Sequence, residues 1–119
     1  MTETDPNLIA RYIGHIKDVV VASPEFSVTQ DPEELRKYPA VVNSYQQMWN
    51  SWKLQKGKRD TVVEIHGNYA CSSYATSRLL ALEGLGIARV PLYLVENDLK
   101  EGTLNQLCED YSIGTHPLY

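Results

Sequence analysis

The sequence has little that would serve a nucleic-acid-binding face, a membrane anchor or a metal centre. Eleven Lys and Arg residues against fifteen Asp and Glu leave a net charge of −4, whereas a domain that neutralises phosphates carries a clustered basic surface. The one local cluster, Lys53, Lys56, Lys58 and Arg59 around Gly57, reads as the solvated tip of a hairpin. Nothing approaches the ~18 consecutive apolar residues of a membrane span. The start, Met1-Thr2-Glu3-Thr4-Asp5-Pro6, has no basic segment followed by an apolar one, so no secretory signal is read. There are only two cysteines, Cys71 and Cys108; with no export signal they imply a reduced, cytoplasmic setting in which no disulfide is required.

Chemistry-bearing motifs are equally scarce. His15, His66 and His116 lack metal-ligand spacing and neither cysteine belongs to a Cys-x-x-Cys pair, so no metal site is expected. Cys71 precedes a helix start, where a thiolate is stabilised, and His66 lies nearby; the same cysteine also continues an apolar stripe, which makes a small buried thiol the expectation. Trp49, Trp52 and eight tyrosines offer aromatic faces but no basic groove beside them, which speaks against single-strand stacking. Trp52 is expected in the core and Trp49 partly exposed. With no phosphate-binding glycine loop, nucleophile elbow or triad spacing, the sequence supplies no enzyme mechanism and implies no cofactor.

What is present is an ordinary globular chain. Its 119 residues, 43% of them hydrophobic, suffice to bury about two-thirds of the extended surface in one core, but not to build two full domains. Residues 8–13 and 16–22 are β-branched runs that read as strands, the second closed by Ser23-Pro24, because proline cannot donate to a ladder. Asp31-Pro32-Glu33-Glu34 predicts a short helix over 32–37, with Asp31 capping, Pro32 in the first turn and Glu34 completing a capping box. Strands are read over 40–43, 49–54 and 61–67, the last ending at Gly67.

A longer helix is expected over 73–83, started by Ser72 or Ser73 and ended by Gly84. Cys71, Ala75, Leu79 and Leu82 fall on one apolar stripe, with Ser77 and Arg78 pointing elsewhere. A short buried strand over 87–91 and a last helix carrying Leu92, Val95 and Leu99, closed by Gly102, complete an α/β layer pattern.

The run from Ser72 through Ala81-Leu82-Glu83-Gly84-Leu85-Gly86-Ile87-Ala88-Arg89-Val90-Pro91 resembles the signature of the effector-binding domain of LysR-type transcriptional regulators, with Glu83 where that family usually has alanine. The resemblance covers most of the chain: residues 8–12, Val19 to Pro24, Pro32 to Leu35 with Glu34 replacing aspartate, Trp52-Lys53-Leu54 with Gly57, and residues 95–107 follow in the family's order. It implies a periplasmic-binding-protein-like (type 2) fold in which two subdomains flank a small-molecule site. This chain would form a single α/β domain over residues 1–119, mainly subdomain two, a mixed sheet flanked by helices, with hinge strands near 8–23 and 115–119. The winged helix-turn-helix would lie in the parent protein, before Met1.

Ligands of open α/β sheets collect at the carboxyl ends of strands, where helix amino termini point, and such termini suit anionic groups. Ser72 and Ser73 are therefore expected to touch the anionic group of a small effector, with Asn43, Ser44, Tyr45 and Gln46 as a second wall. The leading function is a ligand-sensing regulatory domain that acts on DNA only through the parent protein. The others are an interaction module, in which Ala75, Leu79 and Leu82 pair two copies as the resembled family does in its dimers or tetramers, a stand-alone solute-binding protein, and an enzyme lacking visible catalytic residues. Fold analogy alone does not choose among them.

Overall fold

The computed structural model describes residues 15–44, 49–113 and 115–117. Its central sheet runs β5 (Gly67–Cys71), β2 (Ala40–Asn43), β6 (Ile87–Pro91), β1 (His15–Ala22) and β7 (Asn105–Leu107), with β8 (Thr115–Pro117) also pairing β1. β2 is parallel to both β5 and β6, whereas β1 is antiparallel to β6, β7 and β8. This is a mixed α/β sheet. The pairing of β1 with β8 joins the two segments expected as hinge strands; the earlier run at 8–13 lies outside the described residues.

Strands buried on both faces read as continuous apolar runs, and Val19-Val20-Val21-Ala22 shows why. Val19 and Val21 pack on one face with Val41, Ala88 and Val90, under Ala81 of helix α1 (Tyr74–Leu82) and Val95 of helix α2 (Leu92–Glu101). Val20 and Ala22 face the other way and pack with Val42, Ile87, Trp52, Leu54 and Val63. The second group includes the hairpin of β3 (Ser51–Lys56) and β4 (Arg59–Glu64), a separate two-stranded sheet. Helices thus cover one face, and the hairpin with the 3₁₀-helix Pro32–Lys37 covers the other.

Four sequence expectations are corrected. The first helix is 3₁₀ and has only half a capping box: Asp31 accepts from the Glu33 N–H (3.0 Å), but its own N–H donates to Thr29 Oγ1 (3.1 Å) and the Glu34 carboxylate pairs with Lys37. β3 begins at Ser51, because Trp49 and Asn50 form a turn and the Trp49 carbonyl accepts from the Trp52 indole (3.1 Å). Gly67 opens a strand rather than closing one; a Cβ there would lie 2.9 Å from the Trp49 ring and 3.0 Å from Val42.

The fourth correction concerns the face of α1. Ala75 is exposed and Leu79 is 55% exposed, whereas Ser77 and Ala81 are buried. Ser77 tolerates burial because its hydroxyl lies 3.2 Å from the Ser73 carbonyl, to which it donates, and 3.0 Å from Cys71 Sγ. Arg78 is drawn to α2, where its Nε and Nη2 bond the Asp98 carboxylate at 2.6 and 3.0 Å.

That clamp carries a pH dependence. The Arg78 bonds hold the Asp98 carboxyl below its usual 3.8, so its stabilisation is present above pH ~4 and lost as pH falls through the folded value. Asp98→Asn is expected to lower stability by about 2 kcal/mol at pH 7 and by progressively less as acid protonates the wild-type carboxyl. Urea unfolding across a descending pH series checks this.

Candidate functional site

The parallel strands β2 and β5 end side by side, with Asn43 opposite Cys71. Ser44 ties the two ends together: its N–H donates to the Cys71 carbonyl at 2.8 Å and its hydroxyl to the same oxygen at 3.2 Å. One residue later the chain leaves β5 through Ser72 and enters α1 at Tyr74, with Ser73 extended at the N-cap. The Ser73 oxygen accepts from the N–H groups of Ala75 (3.1 Å) and Thr76 (3.3 Å). A serine cap satisfies two of the helix's leading donors in this way and keeps its own O–H as a donor.

Four of the six residues expected to meet a ligand are therefore brought to one edge. Ser72 and Ser44 are exposed, Ser73 is half-buried and Asn43 is buried; Tyr45 and Gln46 lie outside the described residues. The edge presents hydroxyl donors and a helix N-terminus, a combination that favours an anion. Cys71 sits beneath it, its Sγ near Ser77 Oγ (3.0 Å) and the Ser73 and Val42 carbonyls (3.6 and 3.7 Å). It is part of the packing under the helix start. Cys108 is buried elsewhere and its thiol is pushed up to about 11 by that burial and by the charge of Asp31.

Two charged residues at the same end of the sheet were not singled out from the sequence. Arg89 on β6 donates through Nε to Asp18 Oδ2 on β1 at 2.9 Å; the carboxylate is fully buried and the Arg89 side chain is 16% exposed. The phenol of Tyr74, the first residue of α1, is raised above its usual 10.0, chiefly by burial and then by the Asp18 charge. The available signal was a charge inside each apolar run, Arg89 alone in 87–91 and Asp18 beside Lys17 in 16–22. Pairing them requires the fold, since 71 positions separate the two residues.

Among the described residues no cluster of His, Cys, Asp or Glu has the geometry to hold a metal, and no helix is long and apolar enough to cross a membrane. A cavity of about 610 Å³, lined by Thr29 to Glu33, Arg59, Thr61 and Tyr111, shares no residue with the β2–β5 edge.

Comparison with known proteins places these features in a family context. The family model for the LysR substrate binding domain matches residues 1–119. The chain is 32% identical over 118 residues to the HTH-type transcriptional regulator CrgA of Neisseria meningitidis serogroup C (95% of this chain, 39% of CrgA). It is 29% identical over 120 residues to the HTH-type transcriptional regulator ArgP of Vibrio cholerae (92% of this chain, 38% of ArgP). It thus spans about two-fifths of these curated relatives. Among solved structures, the regulatory domain of CrgA from Neisseria meningitidis superposes with a TM-score of 0.72 at 30% identity, over 87% of this chain and 53% of that one. The full-length Vibrio cholerae virulence activator AphB, a member of the LTTR family, superposes with a TM-score of 0.73 at 26% identity, over 88% of this chain and 37% of AphB.

Proposed function

We propose, from the premise that this chain belongs to the LysR substrate binding domain family, that it forms the effector-binding part of a LysR-type transcriptional regulator and takes a small anionic molecule at the β2–β5 edge. The observation that carries the site is the convergence of Ser44, Ser72 and the Ser73-capped start of α1 at the ends of two parallel strands. The helix dipole and the hydroxyl donors of Ser72 and Ser73 recognise a carboxylate or related oxyanion there, while Ser44, bonded to the Cys71 carbonyl, braces the two strand ends. Asn43 contributes from below and Tyr45 and Gln46 from the adjoining segment.

Binding alters regulation by differential affinity. An effector that holds one arrangement of the binding cleft more tightly than another shifts the parent protein between states, and so changes how that protein engages DNA. DNA contact is assigned to the parent's helix-turn-helix, in keeping with the HTH-type regulators that the chain resembles. The setting is the cytoplasm, and no catalytic role is assigned.

The test is thermal unfolding of the parent protein against a panel of small carboxylates, amino acids and other anionic metabolites. A true effector stabilises by about 2.7 kcal/mol at a hundredfold excess over Kd, and Ser73→Ala lowers its affinity about tenfold by removing a hydrogen-bonding group. Absence of any selective shift across the panel contradicts the sensor reading.

A self-association role is favoured by one further observation, the outward apolar face of α1: Leu79 and Ala75 are exposed, with Leu82 half-buried beside them. A burial-driven contact through this face pairs two copies of the chain. Leu79→Glu is then expected to raise the dimer dissociation constant at least ~100-fold, as a charge placed at the centre of an apolar contact does. Sedimentation equilibrium reads this directly, and an unchanged constant excludes the face.

A further inference from the structure

We propose that Arg89 is the cationic anchor of the effector site, with Asp18 as the positioning residue that aims its guanidinium; this rests on the effector-site reading above and names its charge partner. β6 is the parallel neighbour of β2, paired through Ala40 with Ile87 and Val41 with Ala88, so Arg89 stands level with Val42, one residue before Asn43. It therefore sits at the same end of the sheet as Asn43 and Ser44, two residues before Pro91, where β6 gives way to α2.

The guanidinium is only partly spent. A fork of five donors can serve two acceptors at once, and among the described residues Arg89 makes one hydrogen bond, from Nε to Asp18. Its terminal nitrogens carry the remaining donors, and the side chain as a whole keeps 16% of its surface exposed. A guanidinium fixed on one side and open on the other is arranged to receive a planar oxyanion in two-point contact.

Asp18 also occupies a special place in the topology. On β1, residues His15 to Lys17 pair with β8 and residues Asp18 to Val21 pair with β6. The ion pair thus lies where the strand pairing switches, at the root of the segments expected to cross between subdomains. Tyr74, whose phenol senses both charges, brings the start of α1 to the same spot. An anion taken by Arg89 would lie at the end of the sheet that Ser72 and Ser73 also border.

The experiment titrates acetate, and separately sulfate, into the isotope-labelled full chain at constant ionic strength and follows backbone amide shifts. The expected result is saturable movement of Ser72, Ser73, Ala75 and Val90. Arg89→Gln weakens acetate about tenfold and Arg89→Lys less, while Asp18→Asn, which keeps an oxygen to accept from Arg89 Nε and so its aim but removes the competing charge, tightens it about threefold. These opposite signs separate anchoring from a merely structural ion pair, in which both variants lower stability and neither changes anion affinity; circular dichroism confirms that each variant is folded. If Ser73→Ala weakens acetate but Arg89→Gln and Asp18→Asn do not, the anchor is overturned and the serine edge stands. If neither anion moves the edge in the wild type, the anchor is overturned along with the anion chemistry assigned to the edge.

Discussion

Replacing Trp52 by alanine is expected to cost the fold about 3–5 kcal/mol, as deletion of a large buried aromatic does. Trp52 is 1% exposed and is the largest fully buried side chain. It joins Leu54, Val63 and Ile65 of the hairpin region to Val20, Val42 and Ile87 of the sheet. Val42 immediately precedes Asn43, so this core supports the strand end on which the candidate site is built. Against a total stability of about 5–15 kcal/mol, the loss brings the chain close to unfolding at room temperature. On the outer face of the same hairpin Val62 is 57% exposed, and Val62→Ala is expected to change stability by no more than about 0.5 kcal/mol. Chemical denaturation of the two variants compares core with surface; equal midpoints would show that the hairpin does not seal the sheet.

Gly86→Ala is the second large effect, and it acts through backbone rather than cavity. A Cβ at Gly86 would lie 2.6 Å from the Pro39 carbonyl oxygen, 2.8 Å from its carbon and 3.0 Å from the Ala40 nitrogen. None of these atoms can rotate away. The same Pro39 carbonyl accepts from the Ile87 N–H at 2.8 Å, which fixes the entry of β2 beside β6. Relief therefore requires shifting the pairing of two central strands, and a loss of about 3 kcal/mol is expected, at the upper end of overpacking costs. Gly102 provides the contrast: its φ is +79° and nothing lies within 4 Å of an added Cβ, so Gly102→Ala carries only the left-handed backbone cost of about 1 kcal/mol. A Gly86→Ala variant as stable as Gly102→Ala would contradict the close approach of these strands.

Local chemistry was the most legible part of the sequence. Ser73 as cap, Gly84 and Gly102 as left-handed residues after the helices, and the 87–91 strand emerge where residue type alone predicts them. β5 was missed because Gly67-Asn68-Tyr69-Ala70-Cys71 contains no β-branched residue; it is an edge strand, exposed along most of its length, and owes its form to pairing with β2. The face of α1 was read in reverse because hydrophobicity cannot foresee that Ser77 will find partners in Ser73 and Cys71, while Leu79 is left outside.

The site divides along the same line. Serines at a helix start can be found from spacing, but their meeting with Ser44 requires a parallel pairing of β2 with β5 across an intervening hairpin. The link between Asp18 and Arg89 is longer still and leaves no trace in local pattern. Resemblance to a known family supplied the architecture at sequence level, and the paired strand ends carry the proposed site.

The most direct test of the central claim is a backbone amide shift map of the protein with the small anion that raises its melting temperature most. Largest shifts at Asn43, Ser44, Ser72, Ser73, Ala75 and Thr76 are predicted, since these residues form the edge where β2, β5 and α1 converge. Shifts confined instead to the cavity of Thr29 to Glu33, Arg59, Thr61 and Tyr111 would place the ligand at a site that shares no residue with this edge and contradict the account.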